Sequence, residues 1–261
     1  MTTTTPPIVE INRQNNVLTL SLNRPNQFNA LSEAMLEALI KEFSLLQDDT
    51  ELRCVVIEAK GRAFCAGHDL KEMRSRPSLD YYCELFSTCG QLMQAIRLLP
   101  VPVIAKVHGL ATAAGCQLVS ACDLAIASTE AKFAVSGINV GLFCSTPAVA
   151  LSRNILPKRA FEMLFTARFI NAQTAQEYGL LNDVAPAEEL NTRVQQLVDD
   201  ILSKSNAAVR YGKRMFYQQL EMSLAEAYDY AAEIMAQNMM EDDVAEGIDA
   251  FIEKRQAVWK S

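Results

Sequence analysis

Residues 103–127, VIAKVHGLATAAGCQLVSACDLAIA, combine residue types and spacing that could do chemistry. An apolar, β-rich start at 103–107 runs into a turn at Gly109. The small residues 111–115 then open an apolar helix that ends near Asp123. A strand, a small-residue turn and a helix N-terminus in succession aim unpaired backbone N–H groups at whatever lies in front of the helix. Small side chains let a ligand approach that backbone closely. Such N–H groups can hold a developing negative charge. A βα turn built from Ala and Gly for packing alone would read the same way, and this stretch by itself leaves both readings open.

Other chemistry is bounded by composition. The chain has two histidines, His68 and His108, so a His-rich metal site is excluded and no metal is expected. Its seven cysteines, at 54, 65, 83, 89, 116, 122 and 144, form no Cys-x-x-Cys pair, and most sit in apolar runs. They read as reduced core residues of a cytoplasmic protein, not as disulfides or zinc ligands. A net charge of −7 argues against nucleic acid and against anionic membrane surfaces. No apolar run is long enough to span a bilayer. Residues 1–7, a Thr run followed by two prolines, lack the charged and apolar regions of a signal peptide and read as a frayed tail.

The elements that must position these residues follow from periodicity. The 261 residues are 50% hydrophobic, enough for one large core with at most a small appendage. Strands are expected at 8–13 and 17–23 around the turn 14–16, and at 54–59. Ser32 caps a helix to about 47, with Met35, Leu36, Leu39, Ile40 and Phe43 as its apolar stripe. The two-glycine segment 61–70, GRAFCAGHDL, reads as a loop. A long amphipathic helix spans 79–99, stopped by Pro100 and Pro102. A short extended piece at 132–135 leads into an irregular loop at 136–145. Thr146 and Pro147 read as cap and first position of a helix, Pro157 starts another, and Asn171 caps a third closed by Gly179. A strand is expected at 180–184. From about 188 only helices follow, at 188–203, 206–219, 223–239 and 242–256. Alternating strands and helices over 1–185, then helices over 186–261, indicate an α/β core with an all-helical end.

Four segments together resemble the crotonase (enoyl-CoA hydratase/isomerase) superfamily: NRP at 23–25 with NAL at 29–31, GxxFCAGHDL at 61–70, VxGxAxxAGC at 107–116, and CDLAIAS at 122–128. NVGL at 139–142, AxxYGL at 175–180 and GIxAFxEKR at 247–255 extend the match over nearly the whole chain. The resemblance implies a ββα spiral core at 1–185 and a C-terminal helical trimerisation region at 186–261. It implies a homotrimer, or a hexamer formed as a dimer of trimers. It further implies an acyl-CoA ligand whose CoA arrives as part of the thioester, with no permanently bound cofactor. Two backbone N–H groups, at His68 and Ala114, would stabilise the thioester oxyanion. CoA would lie along Ala66, Gly67, Asp69, Leu70 and Lys71 and beside Gln27 and Phe28, with Phe251 and Lys254 of the C-terminal helices covering it. Arg24, Lys71 and Lys254 would supply local positive charge. Family naming would make the chain an enoyl-CoA hydratase or isomerase of fatty acid metabolism.

The sequence departs from that pattern where proton chemistry is done. Hydratases resembling this chain hold and activate water with two glutamates, and the matching positions are Gln117 and Gly137. A third acid/base position used by other members falls at Ser145. An amide has no useful proton affinity near neutral pH, and general acid–base catalysis typically supplies about 10²–10⁴-fold, so efficient hydration is not expected. Polar groups without basicity remain: Gln117 facing the acyl group, Cys116, Cys144 and Ser145. The Gly-His-Asp at 67–69 also resembles methylmalonyl-CoA decarboxylases. That makes decarboxylation of a 2-carboxyacyl-CoA a second reading, because loss of CO₂ itself creates the enolate. A non-catalytic acyl-CoA-binding oligomer is a third. His108 reads as structural.

Overall fold

The computed structural model describes residues 6–260, so the expected frayed tail at 1–7 lies largely outside it. In chain order the elements are β1 Val9–Gln14, β2 Val17–Leu22, α1 Glu33–Leu45, β3 Cys54–Ala59, β4 Ala63–Cys65, α2 Leu70–Ser75 and α3 Leu79–Leu98. Next come β5 Val103–Val107, β6 Leu110–Thr112, α4 Ala114–Ala121, β7 Leu124–Ser128, β8 Lys132–Ala134, α5 Ser145–Asn154 and α6 Pro157–Thr166. The chain closes with β9 Ile170–Asn171, α7 Ala172–Glu177, β10 Asp183–Ala185, α8 Leu190–Leu202, α9 Asn206–Gln219, α10 Leu224–Asn238 and α11 Asp242–Glu253. None of the described helices is long and apolar enough to cross a membrane.

The strands of this α/β fold form two sheets. The larger runs β1-β2-β3-β5-β7-β10, parallel except for the β1–β2 hairpin. Its central strands read as continuous apolar runs because both faces are covered. Val55 and Ile57 join the main core with α1 and α3, while Cys54 and Val56 meet Leu190, Val194 and Val198 of α8 on the other face. The smaller sheet runs β4-β6-β8-β9. β4, β6 and β8 are only three residues long, too short for a period-two pattern, and β4 lies inside the segment expected to be a loop.

Several boundaries differ from expectation for local reasons. α2 starts inside the second loop because Asp69 caps it, accepting from the N–H groups of Lys71 and Glu72. α5 begins at Ser145, one residue before the expected cap; Cys144 is its N-cap and Pro147 its third residue. The last strand is Asp183–Ala185 instead of 180–184, because its pairing to Ile126, Ala127 and Ser128 sets the register. Ser32, Pro157 and Asn171 start their helices as expected.

Candidate active site

The smaller sheet builds the site. β4 and β6 are parallel neighbours, with Ala63 opposite Leu110 and Cys65 opposite Ala111. Their C-terminal ends therefore deliver Gly67–His68 and Ala113–Ala114 side by side. Ligands of parallel α/β sheets bind at such ends. Ala66 is pinned from both sides: its N–H donates to the Phe28 carbonyl at 3.0 Å and its carbonyl accepts from Thr112 Oγ1 at 3.1 Å. Gly67 then turns at φ +92, and a Cβ on it would stand 2.9 Å from Ala113 Cβ and 3.2 Å from the Ala114 nitrogen. The turn of one strand is thus packed directly on the first residue of α4. Gly115 tightens the contact, since a Cβ there would lie 2.0 Å from the Cys65 carbonyl oxygen.

Two donors are left over. In the parallel bridge of Leu31 to His68, it is the Leu31 N–H that bonds the Gly67 carbonyl, at 2.8 Å, and the His68 N–H takes no backbone partner among the described residues. The Ala114 N–H is the first of α4 and belongs to the helix turn without intrahelical acceptors. Ala113, the residue that aims it, sits at φ 49 and ψ −121, a conformation a side chain rarely adopts. Both His68 and Ala114 line a cavity of about 470 Å³.

The expected residues divide by element. Gln27 and Phe28 line one wall, with Phe28 in the left-handed region and stacked under the Arg62 guanidinium at 4.3 Å. Ala66, Asp69, Leu70 and Lys71 line the next. Gly137, Cys144 and Ser145 close the far side. Five expected residues do not line the cavity, among them Cys116, which is fully buried in α4. Gly67 serves through its turn. Gln117 was expected to face the acyl group; it is 3% exposed, with its Oε1 accepting from Cys89 Sγ at 4.0 Å, one turn into α4 and turned to the core. Phe251 and Lys254 lie on α11 and at its C-cap, Phe251 84% exposed on the single chain.

Met73 and Phe86 line the cavity as well. The sequence offers Phe86 only on the apolar stripe of the long helix, where helical spacing does not separate a cavity wall from a packed interior, and Met73 lies on the short helix α2, which was not expected from the sequence. Phe86 meets the His68 ring edge-on at 5.4 Å between centroids. The other histidine, expected to be structural, lies outside the cavity lining, with His108 Nε2 2.8 Å from the Gly61 carbonyl.

Charge in the site is sparse. Asp69 is the single carboxylate lining the cavity among the described residues. Burial alone would raise its pKa, but the Glu72 N–H and the Arg24 guanidinium, 3.1 Å away, outweigh that and hold it below the usual range. His68 Nδ1 lies 3.3 Å from the Leu31 carbonyl, an acceptor only, so the ring proton belongs on Nδ1. Burial pushes the His68 pKa down, with the Leu31 contact opposing, so the ring is neutral in the neutral pH range.

Comparison with known proteins places the chain among its relatives. The model of the enoyl-CoA hydratase/isomerase family matches residues 12–261. A crystal structure of an enoyl-CoA hydratase from Mycobacterium smegmatis is 54% identical, with a TM-score of 0.97, covering 98% of this chain and 100% of that one. The crystal structure of human enoyl-CoA hydratase domain-containing protein 3 is 44% identical, with a TM-score of 0.94 over 97% of this chain and 100% of that one. The Xenopus laevis protein of that name, which is mitochondrial, is 45% identical over 97% of this chain and 86% of its own length. The rat, mouse and human relatives are mitochondrial too, which overturns the expected cytoplasmic location. Unpaired cysteines in apolar runs do not tell the cytoplasm from another compartment. With the family model spanning nearly all of the sequence and the solved structures sharing its crotonase fold, the chain belongs to the enoyl-CoA hydratase/isomerase family.

Proposed function

We propose that the chain binds an acyl-CoA thioester and polarises its carbonyl toward the enolate, with the N–H groups of His68 and Ala114 as the oxyanion donors. The observation that carries this reading is the pair of unbonded N–H groups brought together by Gly67 at the wall of one cavity. A thioester oxygen gains negative charge as its α-carbon loses a proton or a carboxylate. One preorganised donor in a dry site contributes about 3 kcal/mol to that state. Gln27, Phe28 and the 66–71 segment are suited to the CoA moiety. An arylacryloyl-CoA should show an absorbance red shift on binding, because polarising the carbonyl draws charge through the conjugated chain. Binding with an unshifted spectrum would overturn the oxyanion role.

Hydration is expected to be slow. Gln117 faces the core, position 137 has no side chain, and Asp69 is already held by N–H groups and Arg24. This favours, as a second reading, decarboxylation of a 2-carboxyacyl-CoA such as methylmalonyl-CoA, which needs no base to create the enolate. Saturating methylmalonyl-CoA should then release CO₂ while crotonyl-CoA is hydrated little above background. The reverse pattern refutes both statements. Affinity for these thioesters without turnover of either would leave an acyl-CoA-binding protein.

We also propose that residues 186–261 mediate assembly into trimers, or hexamers of paired trimers, through which Phe251 and Lys254 reach the CoA of a neighbour. Phe161 and Phe165, stacked at 3.9 Å on the surface, and the exposed Phe169 are further apolar area for a second copy. Light scattering at the 28.9 kDa of one chain would defeat this.

A further inference from the structure

The site described so far polarises a carbonyl but holds no group that moves a proton at the neighbouring carbon. Position 137 is where the resembling hydratases carry a carboxylate. Here it lacks a side chain and also the room for one. A Cβ on Gly137 would stand 2.6 Å from the Leu142 carbonyl oxygen and 2.7 Å from Cys144 Sγ. The second distance is the informative one. It is far inside van der Waals contact, so a side chain at 137 and the thiol at 144 exclude each other, and the thiol has the space.

Several features mark this thiol out from the other six. Among the described cysteines it alone lines the cavity that His68 and Ala114 share. The Gly137 N–H opposes the rise that burial imposes on its pKa. Cys144 is the N-cap of α5, a ten-residue helix, where an anion is favoured. Cys54, Cys65, Cys89 and Cys116 are buried off the cavity. We propose that Cys144 is the catalytic residue that donates and accepts the proton at the α-carbon of the bound thioester, in the space that a residue-137 carboxylate would otherwise fill. This rests on the reading that the thioester oxygen sits on the His68 and Ala114 N–H groups.

The step balances without a further reagent. In the donating direction the S–H bond breaks, the enolate electron pair forms the new α-C–H bond, and the carbonyl double bond is restored. The thiolate left behind is held by the Gly137 N–H and the N-terminus of α5, and regains a proton from water. In the reverse direction the thiolate removes an α-proton. Burial pushes the Cys144 thiol up and the Gly137 N–H pulls it partly back, leaving it above the ordinary range. At neutral pH the group is therefore protonated, a donor ready for an enolate and a poor base for activating water.

The test is exchange of the α-hydrogens of butyryl-CoA in D₂O, followed by mass spectrometry with the full chain, alongside calorimetric affinity for the same thioester. Wild type should exchange, faster as pH rises toward thiol ionisation. Cys144→Ala should exchange about 100-fold more slowly with nearly unchanged affinity. Cys144→Asp should restore exchange near neutral pH and flatten the profile, an outcome a merely structural thiol does not predict. Exchange by Cys144→Ala at the wild-type rate, or binding without exchange by wild type, overturns this proposal and leaves the acyl-CoA reading standing. Absence of any affinity for the thioester overturns the acyl-CoA reading itself.

Discussion

Gly67 is the residue on which the paired donors depend. Its φ of +92 and the 2.9 Å and 3.2 Å clearances to Ala113 and Ala114 leave no room for a methyl group. Gly67→Ala should cost about 2 kcal/mol or more and spread the two N–H groups, so denaturant unfolding and acyl-CoA affinity should fall together. His68 gives a residue-scale pH effect. Its folded pKa lies below the ordinary 6.5 because the ring is buried. The unfolded chain thus takes up a proton before the folded one does. Stability present above about pH 6.5 is lost as pH falls toward the folded value. Urea midpoints of wild type should drop across this window, and those of His68→Gln should drop less. The helix start that carries the Ala114 N–H was legible in the sequence as a strand, a small-residue turn and a helix N-terminus, whereas His68 lies in a segment read as a loop and entered only through the family resemblance. The orientation of Gln117 was not legible. It lies in a run of seven consecutive buried helix residues, 114–120, so spacing gives no stripe to say which side meets ligand.

At the scale of elements, the long strands and helices were readable from periodicity, and the three-residue strands that place the site were not. β4 and β6 exist because neighbouring strands and the Asn29 side chain hold them. Asn29 Nδ2 donates to the carbonyls of Lys60 and Ala63, both at 2.8 Å, and its Oδ1 accepts from the Arg24 N–H at 2.8 Å. Such long-range bonds leave no local pattern. Equally unreadable was the clamp between α9 and the core. Lys213, at 9% exposure, donates to Asp123 at 2.7 Å and to the carbonyls of Ile96 and Val101. Asp123 also accepts from Tyr217 Oη at 2.7 Å and from the Val103 N–H at 2.6 Å. Breaking a buried pair by removing one partner leaves an uncompensated charge, so Lys213→Met should cost about 3–5 kcal/mol. Chemical denaturation would show it. The double variant with Asp123→Asn should recover part of that loss.

For the whole molecule, charge sets how the folded state responds to acid. Arg255 forks onto Glu246, with Oε1 and Oε2 each within hydrogen-bond reach, and Glu246 also accepts from the Val258 N–H at 2.8 Å. This fastens the C-terminal segment across α11, where Trp259 Nε1 reaches the Ser203 carbonyl at 2.7 Å. The Arg255 bond, then the Val258 N–H, pull the Glu246 pKa from 4.5 to about 2. Because the folded value is the lower one, this contribution is complete above about pH 4.5 and disappears as pH falls through about 2. The stability gap between wild type and Glu246→Gln should therefore be constant at neutral pH and close in strong acid, read as the difference in urea midpoints.

The exclusion between a side chain at 137 and the thiol at 144 also constrains how this chain can change. A single change to Glu at 137 meets Cys144 Sγ and the Leu142 carbonyl and should unfold or distort the loop before it can help catalysis. Trimming the thiol first opens half of that space. Gly137→Glu should accordingly be less harmful on a Cys144→Ala background, with a favourable coupling of about 1–2 kcal/mol in a double-mutant cycle. Order of substitution matters here: the route to a carboxylate passes through loss of the thiol. A lineage that relies on that thiol has no selectable first step toward water addition.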